Sequence, residues 1–253
     1  MIELTFIKAA IIFVAGLGVG FINTLSGSGS LISLPLLIFM GMDAGMANGT
    51  NRIAVFLQTF VGLAVFKKEK ILDPKAALKL GIPVVLGAIP GALIATQVPN
   101  TYFEKVLGVI FIVMTILMIL TPKQWNKKFE LGESFQIRLF HYIIFFFIGV
   151  YGGFLQAGVG ILMLFGLVIG PGFDLIRANA LKLFLTFIFT PVAIIIFWQN
   201  KQIDFTVGLV LAAGNMLGAF IAAKSAKKAG VGFIKWLVIA MILFSAIQFI
   251  FFR

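Results

Sequence analysis

The chain has 253 residues, of which 61% are hydrophobic and 11% are charged, and its formal net charge is +11. Because about a quarter of the residues in soluble domains are charged, this composition excludes a soluble protein and indicates an all-α integral membrane protein. The lack of cysteine and the single histidine, His141, exclude disulfides, thiolate metal sites and cysteine nucleophiles. We therefore expect neither an enzyme nor a bound cofactor or metal.

The first 120 residues divide into five apolar segments, and the second of them is too short to cross a bilayer, which takes about 20 apolar residues. The first segment ends in a run of alternating serine and glycine: Ser26, Gly27, Ser28, Gly29 and Ser30. In chain order the segments are 6–25, the short 31–41, 45–66, 76–98 and 103–120.

A polar linker, 121–136, separates this half from five further segments, of which the second is again short. These segments are 137–156, the short 161–170, 175–198, 205–224 and 232–252. We therefore predict three units: a first transmembrane repeat over 1–120, a cytoplasmic linker over 121–136 and a second transmembrane repeat over 137–253.

The two halves are related by a constant offset of 131 residues. This offset places Gly27 and Gly29 on Gly158 and Gly160, and it places Ala47 and Asn48 on Ala178 and Asn179, without a gap. Matches at glycine and asparagine are informative because an apolar chain seldom produces them by chance. The pattern predicts an internal duplication, which is typical of transporters when short, glycine-interrupted segments recur in both halves.

The net positive charge is concentrated in three short loops, which we place in the cytoplasm by the positive-inside rule in preference to an interaction with nucleic acid. Each half has five segments, an odd number, so the halves are inverted and both termini are expected in the periplasm. The basic residues are Lys67, Lys68, Lys70 and Lys75; Lys123, Lys127, Lys128 and Arg138; and Lys224, Lys227 and Lys228.

The serine–glycine run and its repeat, Gln156 to Gly160, are the first candidates for a binding site. A break in a helix within lipid leaves backbone amides unpaired, and it persists where it lines a cavity or packs inside protein. The start of the short helix that follows offers free N–H groups and a partial positive charge, which suit an anion. We predict that the two breaks meet near the midplane as a substrate site; the alternative is close helix packing through small residues.

Two cations and three asparagines follow the breaks. Arg52 comes directly after Asn51 and four residues after Asn48, and Lys182 comes three residues after Asn179. A charged side chain this deep in the membrane is energetically unfavourable and indicates a functional role. We therefore predict that these five residues contact the anion. The alternatives are snorkelling of both cations to the interface and a helix-stitching role for the asparagines.

Two further pairs of polar residues are weaker candidates for a functional role. Asp43 and Asp174 precede the long helices of the two halves and are interpreted as N-caps, with proton coupling as the alternative. Thr59 and Thr190 are equivalent mid-helix positions whose hydroxyls would either bond to their own helix or contact substrate.

These motifs resemble the sulfite exporter TauE/SafE family. The resemblance covers nearly the whole chain and is carried by Gly20 to Asn23, Ser26 to Gly29, Leu34-Pro35, Ala47 to Arg52, Gly152-Gly153, Gly158 to Gly160 and Arg177 to Lys182. It implies a bacterial inner-membrane permease that exports sulfite or organosulfonates such as sulfoacetate, with protons as the coupling ion. Alternating access in a lipid bilayer is the expected mechanism, with oligomerisation left open; a passive anion channel or a carrier of another small anion are the alternatives.

Overall fold

The computed structural model describes residues 3–68, 71–120 and 136–225, together with 239, 243, 245–247 and 249. Most of the predicted linker and most of the segment 232–252 lie outside the described residues. The regular elements of the described part are all helices, as the composition predicts: α1 (Phe6–Ser26), α2 (Ser30–Phe39), α3 (Ala44–Lys68), α4 (Pro74–Gln97), α5 (Asn100–Ile119), α6 (Leu139–Phe154), α7 (Val159–Ile169), α8 (Leu175–Gln199) and α9 (Phe205–Ser225).

Polar residues at the segment ends determine where several helices start. The Asp73 carboxylate accepts hydrogen bonds from the N–H groups of Lys75 and Ala76, and α4 then starts with Pro74, a residue suited to the first helical position. The Asp174 carboxylate accepts from the N–H groups of Ile176 and Arg177. The predicted N-cap role of Asp174 is therefore confirmed.

Five of these helices are long and apolar enough to cross a membrane: α1, α4, α5, α8 and α9. The segment 45–66 was also expected to cross, and α3 has 25 residues, but it carries more polar side chains than these five. Those side chains are buried inside the protein: Asn48, Asn51, Arg52, Gln58 and Thr59. Because α3 is surrounded by other helices, its composition is not constrained by contact with lipid.

The short helices α2 and α7 have 10 and 11 residues and are each about 15 Å long, half the thickness of the hydrocarbon core. A Cβ atom placed on Gly170, just after α7, would lie 2.9 Å from Cδ2 of His141, near the start of α6. The end of α7 therefore returns to the start of α6. The two helices form a hairpin that turns at residues 155–158.

Helices of one half pack mainly against helices of the other half. The most extensive pairings are α1 with α9 and α4 with α6, and the central helices α3 and α8 contact each other. Glycines spaced by four residues make the close approaches, as is common between membrane helices. They are Gly16 and Gly20 with Gly214 and Gly218 in the first pair, and Gly87 and Gly91 with Gly149 and Gly153 in the second.

The described residues near the C-terminus join an apolar core that contains side chains of both halves. Ile239, Ala246 and Phe249 are buried in the same apolar cluster as residues of α2 and α5. The Phe249 ring lies 5.6 Å from the ring of Phe39 and 5.9 Å from that of Phe111, centroid to centroid. Phe249 therefore packs beside the short helix α2.

Candidate functional site

The two helix breaks, which we call the first bend (26–30) and the second bend (156–160), are in direct backbone contact. Gly27 ends α1 in the left-handed conformation, with φ of +73°, which favours glycine. A Cβ atom on Gly27 would lie 2.5 Å from Cα of Gly160, and a Cβ atom on Gly160 would lie 2.5 Å from Cα of Gly27. Only two glycines allow this approach, so the predicted meeting of the bends is observed.

The short helices start at this contact without a capping side chain. Gly29 and Gly158 stand at the two N-cap positions and have no side chain with which to cap the helices, while the N–H group of Gly29 itself donates to Oδ1 of Asn23. The first turn of a helix has N–H groups without partners inside the helix, and it carries a partial positive charge. Two electropositive helix starts therefore converge on one place.

A small cavity lies where they converge. Its volume is about 10 Å³, which is close to the space that a single water molecule needs. A sulfonate or sulfite ion is larger, so this conformation is closed to such a ligand. The lining residues are Asn23, Gly27, Ser30, Val55, Thr59, Gln156, Val159, Gly160, Lys182, Leu183 and Thr186.

Lys182 joins α8 of the second half to the end of α1 in the first half. Its ammonium group donates to the carbonyl oxygens of Asn23 and Thr24 at 3.0 Å each and to Oδ1 of Asn179 at 2.8 Å. Nδ2 of Asn179 donates to the carbonyl oxygen of Leu25 at 3.1 Å. We call this group the Lys182 clamp; a cation here satisfies the unpaired carbonyls and the negative end of the α1 dipole.

Arg52 makes the reciprocal connection from α3 to the end of α6. Its guanidinium group donates to the carbonyl oxygens of Gly152 at 3.0 Å and Gly153 at 2.7 Å. Nδ2 of Asn48 donates to the carbonyl oxygen of Phe154 at 2.8 Å. The guanidinium carbon also lies 4.4 Å from the ring centroid of Phe197. We call this group the Arg52 clamp.

Both cations are inside the protein, since Arg52 is 0% exposed and Lys182 is 2% exposed. The snorkelling alternative is therefore wrong for both. The asparagines connect helices to one another, as the alternative interpretation expects. Asn51 accepts from Oγ of Ser33 at 2.6 Å and donates to Oγ of Ser30 at 3.1 Å, and these two bonds connect α3 to α2.

The twelve predicted site residues fall into three groups. Four line the cavity: Gly27, Gln156, Gly160 and Lys182. Four hold helix ends or the short helix α2: Asn48, Asn51, Arg52 and Asn179. The other four lie in the bends outside the cavity lining: Ser26, Ser28, Gly29 and Gly158. The serine hydroxyls of Ser26 and Ser28 bond to each other at 2.6 Å and are occupied within the bend.

A chain of buried amides beside the first bend was not predicted. The N–H group of Gly29 donates to Oδ1 of Asn23, and Nδ2 of Asn23 donates to Oε1 of Gln58 at 3.2 Å. The residues at the offset of 131 from Asn23 and Gln58 are Phe154 and Phe189, which are apolar. The position of Asn23, one turn before Gly27 on the same helix, was the available signal.

A larger cavity of about 530 Å³ lies at the base of the α6–α7 hairpin, lined by Gln136, Arg138, Phe140, His141, Gly170 and Pro171. Nδ1 of His141 accepts from the N–H group of Arg138 at 2.8 Å. His141 therefore closes the start of α6. None of the twelve predicted site residues lines this second cavity.

Sequence comparisons show similarity to membrane transporter proteins along nearly the whole chain. The sequence pattern of the family described as sulfite exporter TauE/SafE matches residues 12–249. A probable membrane transporter protein of Haemophilus influenzae is 28% identical over 232 residues, which cover 92% of this chain and 90% of that protein.

Two further relatives are similar to a comparable degree. The probable membrane transporter protein ORF9 of a Sinorhizobium species is 26% identical, covering 98% of this chain and 94% of that protein. The probable membrane transporter protein YfcA of Escherichia coli K12 is 25% identical, covering 83% and 77%. No solved structure matches the chain.

Proposed function

The chain belongs to the sulfite exporter TauE/SafE family of membrane transporters, and from this premise we propose that it exports a small sulfur-containing anion across the bacterial inner membrane. Sulfite and organosulfonates such as sulfoacetate are the proposed substrates. They carry several oxyanion oxygens, each of which can accept hydrogen bonds from backbone N–H groups.

One observation carries this proposal: two uncapped helix starts and Lys182 converge on the cavity between the bends. N–H groups at helix starts bind sulfate-like anions well, because the amides point at the ligand and the helix dipole favours negative charge. The glycines keep the backbone accessible to a ligand. Arg52 is assigned to the scaffold in this proposal, since its side chain is engaged with the end of α6 and does not line the cavity.

We propose that the two halves are inverted repeats and that they move against each other. The packing supports this, because exchanging the halves converts the α1–α9 pair into the α6–α4 pair. We assign the small cavity to a closed state of the transport cycle, because it is too small for the proposed anion. Rocking of one repeat against the other would open the cavity to each side in turn.

The proposed orientation has the basic loops in the cytoplasm and both termini in the periplasm. The chain has no native cysteine, so single introduced cysteines report accessibility without background. We expect a membrane-impermeant maleimide to label a cysteine at Gln199 in intact cells and to leave one at Lys127 unlabelled. The opposite pattern would contradict the orientation.

Ligand-dependent stabilisation of the purified protein tests the substrate class. A ligand at 100 times its dissociation constant stabilises a protein by about 2.7 kcal/mol, which is measurable as a shift in melting temperature. We expect sulfite, methanesulfonate or sulfoacetate to produce a shift that acetate and chloride do not. A larger shift with acetate would indicate a carrier of a different small anion.

Flux measurements separate a carrier from a channel. In proteoliposomes a carrier exchanges internal labelled anion for external anion, and its rate saturates with concentration. Sustained single-channel currents in planar bilayers would contradict alternating access and favour a passive anion channel.

A further inference from the structure

Lys182 differs from the other residues around the cavity, because it is the single ionisable side chain among the described residues that line it. It is 2% exposed, and its three hydrogen bonds go to two carbonyl oxygens and an amide oxygen. A buried ammonium ion with neutral partners alone lacks a compensating negative charge. An anion in the adjacent cavity would supply that charge.

The helices that pack against α8 provide no carboxylate to compensate Lys182. These helices are α1, α3, α4, α6 and α7, and in the described residues none of them contains aspartate or glutamate. Their titratable or charged side chains are Lys8 on α1; Arg52, Lys67 and Lys68 on α3; Lys75 and Lys79 on α4; and His141, Tyr142 and Tyr151 on α6. On α8 itself, Asp174 and Arg177 stand at the first turn and pair with each other.

The equivalent clamp in the other half uses a cation that cannot change its charge. Arginine stays protonated in proteins, whereas a buried lysine readily exchanges its proton. Arg52 lies outside the cavity lining and Lys182 lies within it. The chain thus has a permanent cation in the clamp away from the cavity and a titratable cation in the clamp beside it.

We propose that Lys182 is the residue that couples anion transport to protons, an inference that rests on the proposed function. In the ammonium form, Lys182 lets the cavity accept an anion, and it donates twice to the end of α1 and once to Asn179. When the ammonium group releases its proton to water, an amine remains, the positive charge disappears and one donor to the α1 carbonyls or to Asn179 is lost. Anion and proton therefore enter and leave the site together, one proton for each anion, so that export needs an outward anion gradient that exceeds the inward proton gradient.

Linkage makes this coupling reciprocal: if protonation strengthens anion binding, anion binding must strengthen proton binding by the same factor. The first test is proton uptake by the purified wild-type protein in weak buffer when methanesulfonate, which does not titrate near neutral pH, is added. We expect uptake approaching one proton per bound anion over part of the range from about pH 5 to pH 10. Binding without proton uptake at any pH in this range would overturn the inference.

The second test compares Lys182→Arg with the same substitution at the exposed Lys79. Wild type and Lys79→Arg should bind methanesulfonate more weakly as pH rises, by up to about tenfold per pH unit for one linked proton. Lys182→Arg, which keeps its charge, should bind with pH-independent affinity and exchange anions without proton-driven accumulation.

The outcomes distinguish this inference from the proposed function. Wild-type protein that binds and exchanges the anion with no pH dependence, or a Lys182→Arg variant with the wild-type pH profile, overturns the coupling role and leaves the transporter proposal standing. Wild-type protein that binds neither methanesulfonate nor sulfite overturns both. If Lys182→Arg does not fold, the proton-uptake measurement on the wild type decides alone.

Discussion

The Arg52 clamp and the Lys182 clamp are two versions of one device. In each, an asparagine and a cation on a central helix of one half bind the terminal carbonyls of a broken helix of the other half. They differ in position, because Lys182 lines the cavity and Arg52 instead stacks on Phe197. The same arrangement of cation and asparagine therefore occurs twice in the described residues, and one of the two lies beside the cavity.

The largest loss of stability is expected for Arg52→Gln, which removes the cation of the Arg52 clamp. Arg52 is fully buried and makes two short hydrogen bonds to the carbonyls of Gly152 and Gly153. Each hydrogen bond from a charged donor contributes about 1.5–3 kcal/mol, so we expect a loss of about 3 kcal/mol or more. The measurement is the melting temperature and monodispersity of the detergent-purified protein. A variant that melts like the wild type would show that this clamp does not hold the fold.

A smaller loss is expected when the two bends are forced apart. In Gly160→Ala the new Cβ atom would lie 2.5 Å from Cα of Gly27, and the backbone must shift to accommodate it. Overpacking of this kind costs about 1–3 kcal/mol and should also abolish the thermal shift by sulfonates. Gly18→Ala is the matched control, because no atom lies within 4 Å of its added Cβ atom. A Gly160→Ala protein with full sulfonate affinity would contradict the site between the bends.

Much of the fold could be predicted because its signals are local or periodic. Apolar length identifies the helices, glycines mark the bends, and the offset of 131 residues relates the halves. The partners of Arg52 could not be predicted, because they are backbone carbonyls of Gly152 and Gly153, and a carbonyl is present at every position of the chain. The burial of Arg52 could not be predicted from its neighbours in the sequence, because it lies near a helix start, where snorkelling is the ordinary outcome. Contacts with the end of α6 and with Phe197 of α8 enclose the side chain.

The asparagines of the two clamps provide a further test of the difference between the clamps. Asn48→Ala removes a donor to Phe154 and an acceptor from Arg52, and Asn179→Ala removes a donor to Leu25 and an acceptor from Lys182. The Phe154 carbonyl still accepts from Arg52, so we expect a loss of stability of about 1 kcal/mol for Asn48→Ala and about 1–2 kcal/mol for Asn179→Ala. Only Asn179→Ala should also change sulfonate affinity, since it alters the surroundings of Lys182. Thermal melts with and without methanesulfonate separate the two effects, and equal effects of both variants on affinity would remove the distinction between the clamps.

The smallest effect is expected within the first bend, where two neighbouring serines differ in position. Ser28 is buried, but its hydroxyl bonds to Ser26 and does not line the cavity, whereas Ser30 lines the cavity and accepts from Nδ2 of Asn51. Ser28→Ala should cost about 0.5–1.5 kcal/mol of stability and leave sulfonate affinity unchanged, because the donors proposed for the anion are backbone N–H groups. Ser30→Ala should weaken methanesulfonate binding, since it changes the cavity wall and releases Asn51, and isothermal titration calorimetry of both serine variants measures this difference. A loss of affinity in Ser28→Ala alone would mean that serine hydroxyls, rather than the helix starts, bind the anion.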